Sequence, residues 1–215
     1  MATTSAVAFL FDRRAVSFNG LAAEIDAPRT KKAQEYLADL SFWRAPYMCA
    51  FRSGNFDFIL IATHTRWGIP RRREGAELKL LADWIDIRFE SVAVEDTDLI
   101  VMGDFNVPKL NDSLFGALTS RGLMIPDCLK ILKVGDRVIG GSNLGQDARF
   151  DQILHMPTMK KRFTDDGGAL DFFVSDKSIK DLFPKSKVRA SSSRISSRTI
   201  CPSGRRSRRI STATA

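Results

Sequence analysis

The sequence predicts an α/β domain, on three observations. Phe58-Ile59-Leu60-Ile61-Ala62 and Leu99-Ile100-Val101-Met102 are apolar without alternation, the pattern of strands covered on both faces. Between them, Arg71 to Phe89 sets Leu78, Leu81, Ile85 and Phe89 at spacings of three and four, one apolar stripe along a helix. Both apolar runs end on polar residues, Thr63-His64-Thr65 and Gly103-Asp104-Phe105-Asn106. Strand exits are where open α/β sheets place their chemistry.

The remaining elements follow in chain order. Ala6 to Phe11 reads as a buried strand, Asp12-Arg13-Arg14 as the turn after it, and Val16 to Phe18 as the returning strand. Tyr36 to Leu40 reads as a short loop or helical turn leading to Ser41-Phe42-Trp43-Arg44-Ala45-Pro46. Tyr47 to Arg52 and Phe56 to Thr63 form a hairpin across Ser53-Gly54-Asn55, where Gly and Asn supply positive φ. The first turn of the 71–89 helix holds Arg71, Arg72 and Arg73, the wrong sign for the positive end of a helix dipole. A solvated charged end, or an anion held nearby, accounts for it. Ser113 to Ser120 reads as a helix stopped at Gly122, and Leu123-Met124-Ile125 as a short strand. Gly140 to Gly145 is a flexible loop that lacks the Lys-Ser/Thr of a phosphate-binding loop. Arg149 to Leu154 is a strand, Ala169 to Val174 the last clear one, and Lys177 to Phe183 a short helix.

At 215 residues the chain is long enough for one ordinary domain with a sizeable core. No apolar run approaches a membrane span, and the N-terminus lacks the pattern of a signal peptide. Cys49, Cys128 and Cys201 are odd in number and far apart, which argues against a disulfide framework and suits a reducing, cytoplasmic compartment. The net charge of +8 is misplaced for a nucleic-acid-binding body. Of the 33 Lys and Arg, nine lie from Lys185 on, where no Asp or Glu stands, so residues 1–184 carry 24 basic against 25 acidic side chains. Residues 185–215, rich in Ser and Arg, have the profile of a disordered basic tail.

Asp98 to Pro108 is the stretch that carries the chemistry. Residues two apart in extended chain share a side, so Asp104 and Asn106 face one site together. Pro108 ends the strand, having no N–H for a ladder. An Asx-type turn, in which both side chains merely cap the backbone, is the competing reading.

Arg44-Ala45-Pro46, a strand ending at His64, Gly103-Asp104-Phe105-Asn106 and Phe150-Asp151-Gln152-Ile153 stand in a fixed order. Together they resemble the endonuclease/exonuclease/phosphatase superfamily, the deoxyribonuclease I-like fold, from about Ala6 to about Val174. The resemblance implies a two-sheet α/β sandwich, incomplete at both ends, and hydrolysis of phosphate esters with Mg²⁺ (or Mn²⁺). It implies that Asp104 orients or deprotonates the water, that Asn106 donates hydrogen bonds to the phosphate, and that His64 stabilises the phosphoryl oxygens. Arg44 contacts a phosphate, and Asp151 matches an aspartate that orients a second histidine.

The departures matter equally. The first strands of the fold, with an Asn and the metal-binding Glu, should precede Ala6 and are not found. Ser5 stands about where a Glu pairs with the first histidine, and no Ser-Asp-His follows Val174. His155, four residues after Asp151, lies too far along the strand to pair with it and reads as a satisfied or surface histidine.

The expectation is a domain over 1–184, a phosphoester hydrolase acting on DNA, RNA, inositol phosphates or lipid headgroups, with turnover absent or very weak. The tail is expected to result from a reading-frame change near Pro184–Lys187. A non-catalytic nucleic-acid-binding protein using the basic tail, or a non-functional truncated product, are the alternatives.

Overall fold

The computed structural model describes residues 7–27, 41–90, 97–143, 145–164 and 166–169, together with the backbone of 30–32 and 35–37. Strands β1 (Ser17–Glu24), β2 (Thr30–Lys32), β3 (Glu35–Leu37), β4 (Tyr47–Ser53) and β5 (Phe56–His64) lead to helix α1 (Arg71–Glu90) and strand β6 (Leu99–Asp104). Helices α2 (Ser113–Leu118) and α3 (Asp127–Lys130), strands β7 (Lys133–Val134), β8 (Arg137–Val138) and β9 (Asp151–His155), and a 3₁₀ turn at Pro157–Arg162 follow.

Five strands form the main sheet, in the order β1-β4-β5-β6-β9, and β2–β3 and β7–β8 are separate hairpins. Among the described strands only β5 and β6 pair in parallel, because α1 carries the chain from one end of the sheet back to the other. The β4–β5 hairpin turns on Gly54-Asn55, with Ser53 opposite Phe56. Gly54 alone takes positive φ there, at 63°, the signature of a turn with glycine at its first central position.

Alternation along the strands sorts the core into two layers. Met48, Ile59, Ile61, Leu99, Val101 and Leu154 face α1, whose Leu78, Leu81 and Ile85 are buried against them. Each such side chain contributes roughly 1.5–3 kcal/mol on leaving water. Cys49, Phe51, Phe58, Leu60, Ile100, Met102 and Ile153 face the other way. There they meet Leu129 of α3, Ile125, Leu132, Ile139 and Met159. The second sheet of the expected sandwich is not formed among the described residues, and short helical and hairpin segments cover that face instead.

Three local expectations are corrected. Of the Ala6–Phe11 run, residues 7–11 form no strand. The outer edge of β4 is taken by β1, so the run has no ladder to join, and Phe9 and Phe11 instead set their rings 5.7 and 5.2 Å from that of Phe51. Tyr36 and Leu37 belong to β3, where Tyr36 pairs with Lys31. Leu123-Met124-Ile125 makes a single bridge, Met124 to His155, and no strand.

Arg71, Arg72 and Arg73 at the start of α1 are exposed, in keeping with a solvated charged end. Arg71 is bonded to Asp112, and Asp112 caps α2 by accepting the Leu114 N–H at 2.9 Å. Burial pushes the Asp112 carboxyl up, but the Leu114 N–H and Arg71 outweigh it and hold it below the usual range. A carboxylate from the next helix thus offsets the mismatch at this end of α1. The strand expected over Ala169–Val174 beyond Ala169, the helix at Lys177–Phe183 and the tail 185–215 lie outside the described residues.

Candidate active site

Two adjacent strand ends set the site. In the parallel register of β5 and β6, His64 stands beside Asp104. In the antiparallel register of β6 and β9, Asp104 stands opposite Asp151. His64, Asp104 and Asp151 therefore form one row across three neighbouring strands, and by strand alternation all three share the face of Ile100, Met102 and Ile153. Gly103, just before this row, allows it to close. A Cβ on Gly103 would lie 1.8 Å from the Thr63 carbonyl oxygen, and its φ is 147°.

The two aspartates take the closer of the two antiparallel pairings. The Phe105 N–H donates to the Phe150 carbonyl at 2.8 Å, which makes Asp104 and Asp151 a non-hydrogen-bonded pair, the register that brings side chains nearest. Like charges directly opposite each other destabilise a sheet. Cationic character on His64 would offset this, and its Nε2 lies 3.8 Å from Asp104 Oδ2.

The Asx-turn reading accounts for half of what Asp104 does. Its Oδ1 accepts the Asn106 N–H at 3.0 Å, while Oδ2 is the oxygen nearer His64. Asn106 sits at φ 53°, a left-handed conformation that asparagine tolerates. Its Nδ2 donates to the Thr65 carbonyl at 2.8 Å, which ties the β6 exit to the β5 exit and leaves a second N–H on that amide.

Arg44, in the loop before β4, is brought to the same place. Arg44, His64, Thr65 and Asn106 line a cleft of about 330 Å³, rimmed by Trp43, Arg66 and Trp67. Asp104 is next to this cleft through His64, and Asp151 lies on the far side of Asp104, outside the lining. The backbone N–H of Asp151 is held by the Ser142 hydroxyl at 3.0 Å, so the Gly-rich loop at 140–145 positions the start of β9.

Several residues of the site carried no signal in the motif reading. Glu77, buried on α1, accepts the Trp43 N–H on Oε1 at 2.8 Å and the Arg66 N–H on Oε2 at 3.1 Å. One carboxylate thus holds both loops that form the cleft. Its position four residues before Leu81, on the apolar stripe, was the available clue. Trp43, Arg66 and Trp67 were unremarkable until the β5 exit and the loop before β4 came together.

Among the described residues, no group of three or more His, Cys, Asp or Glu side chains gathers where a metal ion could be held. The Mg²⁺ (or Mn²⁺) implied by the resemblance therefore has no set of three side-chain ligands to assign among them. No described helix is long and apolar enough to cross a membrane. Of the cysteines, Cys49 is buried and Cys128 partly so, both as free thiols, and burial pushes the Cys49 thiol up.

The solved structures similar to this chain include members of the endonuclease/exonuclease/phosphatase family, at distant identity. The human Nocturnin catalytic domain with bound sulfate aligns with a TM-score of 0.46 and 15% identity, over 72% of this chain and 52% of that one. A mannosyl-6-phosphatase of Bacteroides thetaiotaomicron aligns with a TM-score of 0.46 and 14% identity, over 75% of this chain and 61% of that one. An endonuclease/exonuclease/phosphatase family protein of the same bacterium gives 0.42 and 13%, over 74% and 59%. The chain thus spans between about half and three-fifths of the length of these structures. No family model matches the chain, and no curated protein matches it.

Proposed function

We propose that the chain is a phosphoester hydrolase of the endonuclease/exonuclease/phosphatase type, acting at the row of His64, Asp104 and Asp151. The observation that carries this reading is the row itself. A histidine and two carboxylates on neighbouring strands, beside a cleft lined by arginine, are the side chains that attack by water at phosphorus requires.

Asp104 is the base. Its Oδ2, which takes no part in the Asn106 turn, orients a water and accepts its proton as the oxygen attacks phosphorus. His64, when protonated, faces the charge that builds on the phosphoryl oxygens, and Arg44 meets the same anion from the opposite loop. Asn106 offers its second amide N–H to the phosphate while the first holds the Thr65 carbonyl. Asp151 stands directly behind Asp104, across the β6–β9 register. The leaving oxygen takes its proton from solvent, and the ester bond breaks as the new P–O bond forms.

Turnover is slow in this reading, because the residues that the sequence resemblance would use for the metal and for the second histidine are not matched. The test is cleavage of bis(p-nitrophenyl) phosphate by the purified chain, with Mg²⁺, with Mn²⁺ and with chelator. A slow release of nitrophenol that Asp104→Ala abolishes is the expected result. No release under any of these conditions, or release unchanged in Asp104→Ala, overturns the reading.

A further inference from the structure

Resting on the phosphoester reading above, we propose that the rim formed by Trp43, Arg66 and Trp67 is a stacking subsite for a planar ring, so that the phosphate ester taken at the site carries a nucleobase. Trp67 is 71% exposed and Trp43 49% exposed. Water penalises indole surface held in the open, and here both exposed indoles border the same cleft as two arginines. The Arg66 guanidinium carbon lies over the Trp43 ring, 4.1 Å from its centre. Bases stack on guanidinium planes as well as on aromatic rings.

The rim is fixed in advance rather than formed by a loose loop. Glu77 holds the backbone of Trp43 and of Arg66, and Glu74, one turn earlier on α1, accepts the Gly68 N–H at 3.1 Å. Gly68 takes a φ of 79°, which turns the chain immediately after Trp67. The ordering entropy that an open loop would lose on binding is therefore already spent, which favours binding.

Thr65 supplies an independent sign of a ligand. It is only 5% exposed and lines the cleft, yet its hydroxyl finds no hydrogen-bond partner in the protein. A buried hydroxyl left unpaired costs stability, and a polar edge of a bound molecule would satisfy it. The side chains around the cleft also separate the candidate esters. Sugar and inositol hydroxyls call for acceptors, but among the described residues the lining has two guanidinium groups and no carboxylate. A lipid chain calls for an aliphatic wall, and the apolar surface here is indole. A cleft of about 330 Å³ suits one base with its phosphate.

The test is titration of the full chain in chelator, so that nothing turns over, by calorimetry and by tryptophan emission. The ligands are adenosine 5′-monophosphate, a short single-stranded thymidine oligonucleotide, glucose 6-phosphate and inorganic phosphate. Both nucleotides should quench the emission and bind roughly tenfold or more tightly than glucose 6-phosphate, the scale of one stacked base. Trp67→Ala should remove about that factor, and Trp67→Phe should keep most of it. A stronger oligonucleotide than mononucleotide signal assigns the source to a nucleic-acid strand, and equal signals assign it to a nucleotide.

Absent nucleotide binding, nucleotide affinity equal to that of glucose 6-phosphate, or binding untouched by Trp67→Ala overturns the inference. Trp67 is so exposed that its removal leaves the fold intact, and a circular dichroism spectrum identical to that of the parent checks this. Nucleotide binding with this signature, alongside cleavage indifferent to Asp104→Ala, keeps the stacking subsite and rejects the hydrolytic reading. Asp104-dependent cleavage without nucleotide preference does the reverse.

Discussion

His64 and His155 each close a strand on the same face of the sheet, at opposite ends of it. His64 shares its row with Asp104, while His155 pairs across with Ile100, four residues earlier on β6, about 13 Å away at the rise of a strand. His64 keeps a side chain 35% exposed, next to a carboxylate and facing a cleft. His155 is 2% exposed, with Nδ1 2.7 Å from the Met156 carbonyl oxygen and its ring 4.5 Å from that of Phe163. Only an Nδ1–H can bond a carbonyl, so the neutral tautomer is fixed. Burial pushes the His155 pKa down, against the Met156 bond and Asp127, which raise it. One histidine stands half-exposed beside a carboxylate at a cleft, and the other is buried where taking a proton is costly. Identity and strand position do not separate them. The company each strand end keeps does.

The sharpest break of this comparison is in activity. His64→Ala should cut residual phosphoester cleavage by roughly 10²- to 10³-fold, the usual cost of removing a group that stabilises developing charge, and leave the melting temperature within a few degrees. Initial rates and a thermal melt on the same sample decide it, and a melt that collapses with the activity would make His64 a packing residue.

His155→Ala should do the converse. Removing a buried ring from between Phe163 and Met156 should cost about 2–4 kcal/mol of unfolding free energy. Cleavage per folded molecule should be kept. Urea unfolding with parallel rate measurements would expose an error if activity fell and stability did not.

The titration of His155 gives a finer test. Its folded pKa lies below the unfolded value of about 6.5. Above that value both states are neutral and the contribution is complete. As pH falls below it, the unfolded chain takes the proton first, and stability drops until the folded pKa is passed. Urea midpoints should therefore decline through mildly acidic pH, and the decline should be smaller in His155→Phe. An equal decline in both proteins would assign the effect to other groups.

The smallest effect lies away from both histidines. Asp112→Ala should cost about 1 kcal/mol, typical of a lost helix N-cap, and should release Arg71 at the start of α1. A change in urea midpoint beyond twice that size would show that Asp112 holds the two helices together rather than capping one.

Several elements were legible because their signals are local. The β4–β5 hairpin, α1 and β6 each announce themselves by the period of their apolar residues and by the turn or stop that follows. The pairing of His64 with Asp104 in one row could be expected, since both sit at the exits of strands joined by one helix. Glu77, by contrast, shows in the sequence only as an acid on the apolar stripe of its helix. Its use appears only when two loops separated in sequence lay their N–H groups over it.

What the sequence by itself determined is the set of buried strands, the helix between their exits and the polar residues at those exits, because contiguous burial writes a period into the chain. Tertiary structure decided the rest. It gave the edge of β4 to Ser17–Glu24 and left the aromatic run before it as packing. It set Asp151 opposite Asp104, Asp112 against Arg71, and His155 beneath Phe163. Each of these depends on which groups distant segments bring face to face, and spacing along one chain carries no record of the residue opposite.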